Sequence, residues 1–144
     1  MTVGEQPRLR WRVVGLVSAV LLVGACSGQG SVEDENAAAA AVEFSRSVGT
    51  APQTACGLLA PQTLQELEAT DGACAGALPD ALPDAVKAST GAPRSTEVYG
   101  KAAIVHLSTD TIFLARFRDG WRVTAAGCTA REAGRPYDCK VKGA

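Results

Sequence analysis

The residues best able to do chemistry in this 144-residue chain are its five cysteines, which could hold a metal, exchange electrons or form disulfides. They stand at positions Cys26, Cys56, Cys74, Cys128 and Cys139. No two of them have Cys-x-x-Cys spacing, and His106 is the single histidine, so a zinc site would require distant thiols to converge. The pattern therefore favours structural disulfides over a metal or redox site.

The last four cysteines form an even set, which allows three pairings. We favour pairing between sequence neighbours. A bond from Cys56 to Cys74 would staple the helical half of the chain, and a bond from Cys128 to Cys139 would staple the tail after the last strand. Loops of this size are worth about 3 kcal/mol each in the chain-entropy estimate. This pairing leaves Cys26 as the odd thiol.

The N-terminus has the plan of an export signal. Arg8, Arg10 and Arg12 precede an apolar run of thirteen residues from Val13 to Ala25. A membrane span needs roughly 20 apolar residues, so a permanent transmembrane anchor is the weaker interpretation. A buried core helix is also possible by length, but it would leave the three arginines unexplained.

The sequence "VGAC", from Val23 to Cys26, resembles the lipobox of bacterial lipoproteins, an aliphatic residue and two small residues before cysteine. The resemblance implies that residues 1–25 are a signal peptide and that Cys26 carries a diacylglyceryl group as the mature N-terminus. The domain would then be anchored on the extracytoplasmic face of the cell membrane. The alternative is a plain secretory signal that leaves Cys26 as a loose thiol, which is unfavourable in an oxidising compartment.

The chain after the signal is predicted to contain one domain at residues 37–144, joined to the anchor by a flexible acidic tether at 26–36. A first helix is expected from about Asn36 to Val48, with Ala41, Phe44 and Val48 on one face. Two short helices should begin near Pro52 and Pro61. A short helix near Cys74–Leu78 and one turn near Asp84–Ala88 should follow, since Pro79 and Pro83 interrupt any longer helix.

The second half of the chain has the composition of β-strands. Three runs rich in β-branched and aromatic residues cover Glu97–Leu107, Thr111–Arg118 and Trp121–Ala126. Asp119 and Gly120 predict a two-residue hairpin turn in which both central residues have positive φ. Helices followed by an antiparallel meander indicate an α+β fold, with helices covering one face of the sheet.

This order, together with "DGWRVTAAGC" and "PYDCKVKG", resembles small lipoproteins of high-GC Gram-positive bacteria that have a nuclear transport factor 2-like, or cystatin-like, domain. The resemblance implies a cone in which N-terminal helices pack into the concave face of a curved C-terminal sheet. Such cones include isomerases and hydrolases with a carboxylate or histidine base in an apolar pocket. Asp110, His106 and Tyr99 are the candidates for that role, with Asp110 placed in the "STDT" turn.

No other catalytic pattern accompanies these residues. The chain has no Gly-x-Ser-x-Gly elbow and no glycine-rich phosphate loop, so we expect no cofactor. A net charge near −1 with 20% charged residues makes a nucleic-acid partner unfavourable, and lipid attraction through a basic patch is not indicated. Arg116, Arg118 and Arg122 could form a small basic patch for an acidic partner, although hairpin ends are often simply solvated. Trp121 is expected to pack in the core or at an edge.

The sequence therefore predicts a membrane-anchored lipoprotein domain that is not an enzyme. It would bind a protein partner at the cell envelope or a small apolar ligand. Two alternatives stay open: a cone-pocket enzyme that uses Asp110 or His106, and a purely structural envelope component.

Overall fold

A computed structural model of the chain describes residues 28–87 and 91–143. Within these ranges five helices precede five strands. The helices are α1 Gly28–Thr50, α2 Pro52–Gly57, α3 Pro61–Asp71, α4 Cys74–Ala81 and α5 Asp84–Lys87. The strands are β1 Ser95–Tyr99, β2 Ala102–His106, β3 Thr111–Phe117, β4 Gly120–Thr129 and β5 Asp138–Lys142. The predicted α+β class is confirmed.

The predicted signal peptide at 1–25 and the lipid site at Cys26 lie outside the described residues. In the part of the chain that the structure covers, no helix has both the length and the apolar character needed to cross a bilayer.

The predicted start of the first helix was wrong. Helix α1 begins at Gly28, so the stretch expected to be a flexible tether is helical from that residue on. Glu33 explains the difference, because its carboxylate accepts a hydrogen bond from Trp121 and pairs with Arg116 of the sheet. Local composition indicated a tether because neither stabilising contact is visible in the sequence.

The core lies between the helices and one face of the sheet. The predicted apolar face of α1 is confirmed, since Ala41, Phe44 and Val48 are fully buried. They meet side chains that point inward from the central strands, among them Val105, Ile112, Leu114 and Val123. Alternation along β3 separates Ile112 and Leu114 from the half-buried Phe113 on the outer face.

The sheet is an antiparallel meander with strand order β1-β2-β3-β4-β5. The single run predicted at Glu97–Leu107 is two strands, because the chain turns at Gly100 and Lys101 and places Tyr99 opposite Ala102. Strand β5 was not predicted; it pairs with the second half of β4. Its sequence is short and charged, so it carries a weak strand signal.

The predicted hairpin between β3 and β4 is present, but its predicted turn type was wrong. The two loop residues are Arg118 and Asp119, and Phe117 lies opposite Gly120. Gly120 has φ +120°, and no non-glycine residue in the described ranges has positive φ. Of the two residues predicted to have positive φ, only Gly120 does, and the two-residue loop lies one residue earlier in the chain than expected.

Strand β5 pairs only with the second half of β4. Along the first half, the same edge of β4 is hydrogen-bonded by the connection between α2 and α3. The N–H of Val123 donates to the carbonyl of Leu58 at 2.8 Å, and the N–H of Ala60 donates to the carbonyl of Val123 at 2.8 Å. The buried hydroxyl of Thr63 donates to the carbonyl of Thr124 at 3.0 Å. The helical half is therefore hydrogen-bonded to the sheet as well as packed on it.

Both favoured disulfides are present. Cys56–Cys74 joins α2 to the first residue of α4, with 6.1 Å between Cα atoms. Cys128–Cys139 links directly opposed residues of β4 and β5 and closes the loop between them. Each bond closes one half of the fold on itself, and neither ties the helices to the sheet.

Replacing Cys56 and Cys74 by serine should lower the free energy of unfolding by about 3 kcal/mol. The reason is that the unfolded chain gains conformational entropy when the bond across 18 residues no longer constrains it. Replacing Cys128 and Cys139 by serine should cost slightly less, since their separation is 11 residues. Urea unfolding followed by circular dichroism measures both. A Cys56/Cys74 variant as stable as the wild-type protein would contradict this role.

Candidate functional site

An open cleft of about 510 Å³ lies at one end of the sheet, between the β2–β3 loop and the end of β4. Its walls are mostly polar and include one cationic side chain, the single histidine and several hydroxyls. The lining residues are Arg94, Ser95, His106, Leu107, Ser108, Thr109, Asp110, Thr111, Cys128, Thr129 and Ala130. We call this surface the distal cleft.

Asp110 lies at the base of the distal cleft, in the β2–β3 turn where it was expected, and only 7% of its surface is exposed. Its carboxylate accepts three backbone N–H groups. Oδ1 accepts from Thr111 at 2.7 Å and from Cys128 at 2.9 Å, and Oδ2 accepts from Gly127 at 3.0 Å. The carboxylate thus ties the β2–β3 turn to β4.

The N–H groups that Asp110 accepts belong to an irregular part of β4. The pairing register of β3 with β4 shifts between Thr111 and Phe113, and Gly127 has φ +65°. A Cβ at Gly127 would lie 2.9 Å from a methyl of Leu82 and 3.0 Å from Cβ of Lys140, so any side chain at this position would force its neighbours to shift. A bulge leaves ladder groups unpaired, and here the carboxylate replaces the missing strand partner.

Burial raises the pKa of Asp110, and the three backbone N–H donors oppose that rise. A raised carboxylate pKa is one feature of a general acid or base. A base must also reach a substrate proton, whereas both oxygens of Asp110 already accept buried backbone donors. Asp110 therefore has a structural role: its carboxylate holds the β2–β3 turn against β4.

His106 shares the distal cleft with Asp110. It is half-buried on the outer face of the sheet, and its Nδ1 lies 3.0 Å from Oγ1 of Thr111 on the neighbouring strand. Ser95 is its partner on the other side. His106 is therefore a hydrogen-bonded strand residue whose ring forms part of the cleft wall.

Arg94 is a cleft residue that sequence reasoning missed. Its Nε donates to the carbonyl of Leu107 at 3.3 Å, and its Nη2 donates to the carbonyl of Ser108 at 2.7 Å. These bonds hold the β2–β3 loop and place a permanent positive charge at the cleft. Arg94 stands in the connector after Pro93, where no pattern distinguishes it from a solvated arginine.

Tyr99, the third candidate, is not part of the cleft. It ends β1 at the opposite end of the sheet, about 13 Å along the strand from Ser95. Its side chain is exposed, and its hydroxyl donates to the Glu97 carboxylate, which raises the pKa of the Tyr99 hydroxyl. The structure brings Asp110 and His106 together and separates Tyr99 from both.

Two of the three hairpin arginines have partners. Arg116 pairs with Glu33 of α1, and Arg122 pairs with Asp119 and donates to the carbonyl of Gly57. Trp121 is buried, as expected, and its Nε1 donates to Glu33 at 3.1 Å. Two of the three arginines of the predicted basic patch, Arg116 and Arg122, are therefore engaged in contacts within the fold.

A second, apolar hollow of about 330 Å³ lies on the outer face of the sheet beside Phe117. Ala60, Pro61, Ala115 and Thr124 also line it. In the ranges that the structure describes, no three His, Cys, Asp or Glu side chains come close enough together to hold a metal ion.

Comparison with known proteins adds no relative: no family model matches the chain, and no match was found among the curated proteins or the solved structures.

Replacing Asp110 by asparagine should lower the free energy of unfolding by about 1–3 kcal/mol, because an amide offers one oxygen where two now accept three buried donors. Urea unfolding measures the change. Asp138→Asn is the matched control, since Asp138 is an exposed aspartate at the start of β5, and its effect should stay within about 0.5 kcal/mol.

An Asp110→Asn protein as stable as the Asp138→Asn control would contradict the structural role. Asp110 would then be a buried carboxylate that does not stabilise the fold, and the enzyme alternative would gain support.

Proposed function

We propose that this chain is a lipid-anchored lipoprotein whose disulfide-stapled domain stands on the extracytoplasmic face of the cell membrane and binds a protein partner there. Cys26 carries the lipid, and residues 1–25 are the signal that directs export. A small apolar ligand is the second candidate for what the domain binds.

The observation that carries this proposal is the pairing of the cysteines. All four cysteines of the described part of the chain are joined in two disulfides. Stable disulfides are typical of exported proteins, so the pairing supports an oxidising compartment. Cys26 is the remaining one of the five cysteines in the sequence, and it stands at the lipobox-like position.

The packing supports binding at the surface. The helices and the sheet bury large side chains of this chain between them, with Phe44, Leu78, Leu107 and Ile112 fully or almost fully buried. A partner therefore meets surface features, among them the distal cleft with Arg94 and His106. The hollow beside Phe117 is the site that a small apolar ligand would fit.

We also propose that the domain is a nuclear transport factor 2-like cone. Helices that precede a five-stranded antiparallel meander and cover one of its faces support this assignment. The bulged register of β4 supports it too, because bulges increase the bend and twist of a strand.

The rival proposal, a cone-pocket enzyme, is favoured by one observation: Asp110 and His106 border the same cleft. The hydrogen bonds of Asp110 to three backbone groups weigh against it, and so do the large side chains buried between the helices and the sheet. The third proposal, a purely structural envelope component, needs neither residue.

Replacing Cys26 by alanine should abolish incorporation of a fatty-acid label and move the protein from the detergent phase to the aqueous phase in Triton X-114 partitioning. The reason is that two or three acyl chains hold a protein on a membrane, whereas no helix of the described residues is long and apolar enough to span a bilayer. Ser27→Ala is the matched control and should keep both the label and the detergent phase.

Unchanged labelling and unchanged partitioning of the Cys26→Ala protein would refute the lipid anchor. Loss of the label from the Ser27→Ala control as well would show that the substitution disturbs processing and not the attachment residue.

A further inference from the structure

The start of α1 lies at a defined end of the domain. Glu33 meets Arg116 at the end of β3 and Trp121 at the start of β4. The β1–β2 turn lies at the same end, because the N–H of Arg116 donates to the carbonyl of Lys101 at 2.8 Å. We call this the proximal end; it comprises the first turns of α1, the β1–β2 turn and the β3–β4 turn.

The proposed anchor is close to the proximal end. From Gly28 to Glu33 the helix rises about 8 Å, and two residues of chain from Cys26 to Gly28 can span at most about 7 Å. Cys26 is therefore within about 15 Å of Glu33, which is itself fixed to the sheet. A lipid on Cys26 would bring this end of the domain close to the bilayer.

The proximal end also gathers the large apolar side chains that are exposed. Among the described residues these are Val32, Tyr99 and Phe117, with exposed fractions of 52%, 61% and 40%. Single exposed hydrophobic residues are common and need no explanation. Here they lie on α1 and at the ends of β1 and β3 that lead into the two turns of one end, and Tyr is a residue that the membrane–water interface favours.

The charges at the proximal end are mixed. Lys101 and Arg118 are exposed in the two turns, while Asp34 and Glu35 follow Glu33 on α1. Because this end carries both positive and negative side chains, attraction to anionic lipid is not the main force there. Contact between the exposed apolar side chains and the lipid would depend little on lipid charge.

From these observations we propose that the proximal end rests on the lipid surface, with Val32, Tyr99 and Phe117 in contact with the bilayer interface. This inference rests on the proposed lipid anchor at Cys26. It also fixes an orientation: the distal cleft, with Arg94 and His106, lies at the opposite end of the strands and faces away from the membrane.

The test is amide hydrogen exchange on the full lipidated protein, reconstituted in phosphatidylcholine vesicles and in vesicles of phosphatidylcholine with phosphatidylglycerol. Each of two variants is read at the turn that it does not alter: Phe117→Ser at residues 99–101 and Tyr99→Ser at residues 117–120. Arg131→Ser with Glu132→Ser, at exposed positions of the loop between β4 and β5, is the matched control. Co-sedimentation with the vesicles is recorded for every sample.

We expect residues 99–101 of the wild-type protein to exchange severalfold more slowly than in Phe117→Ser, and residues 117–120 severalfold more slowly than in Tyr99→Ser. The 130–136 loop should not change, and the result should be the same in both kinds of vesicle. The distal control should behave as the wild-type protein does. Equal exchange in the wild-type protein and both variants would overturn the inference, and so would protection that appears only with phosphatidylglycerol.

Sedimentation separates failure of this inference from failure of the anchor. A protein that sediments through Cys26 but leaves both turns unprotected keeps its anchor and loses the proposed orientation. A protein that does not sediment at all would overturn both.

Discussion

The carboxylate of Glu33 is the contact on which the arrangement of this domain depends most. It accepts a hydrogen bond from the buried indole of Trp121 and pairs with Arg116, so it joins the first turns of α1 to the β3–β4 hairpin. An acidic segment that would otherwise be solvated becomes the start of a 23-residue helix. That helix then places Ala41, Phe44 and Val48 against the sheet.

A second polar contact has the same character at the other end of the strands. The Asp110 carboxylate takes the place of a strand partner for the bulged part of β4, and the Cys128–Cys139 disulfide closes the loop beside it. Such groups resemble catalytic residues when they are considered singly, because a buried carboxylate and a histidine line one cleft. Their hydrogen-bond partners are backbone groups and a threonine, which assigns them first to the fold.

The sequence predicted well what depends on local pattern. Prolines in the first turn mark the starts of α2 and α3, the spacing of Ala41, Phe44 and Val48 gives the buried face of α1, and cysteine order gives the disulfides. It failed where the deciding contact is distant in the chain. Glu33 meets Trp121 across 88 residues, and Asp110 meets Gly127 and Cys128 across 17 and 18 residues.

Turn geometry limited the rest of the prediction. One continuous run from Glu97 was expected to be a single strand, but a hairpin at Gly100 divides it. The boundary was not predicted, because the strand pattern continues on both sides of Gly100. Arg94 joined the distal cleft without any sequence signal, since its role depends on carbonyl groups that only the folded β2–β3 loop presents.

The most direct measurement of the central claim is the intact mass of the protein purified from membranes, followed by fragmentation of its N-terminal peptide. We expect a chain that begins at Cys26, with the mass of a diacylglyceryl thioether on that residue and with the four other cysteines oxidised in pairs. A mature chain that begins elsewhere, or a free thiol at Cys26, would contradict the lipid anchor and the orientation that rests on it.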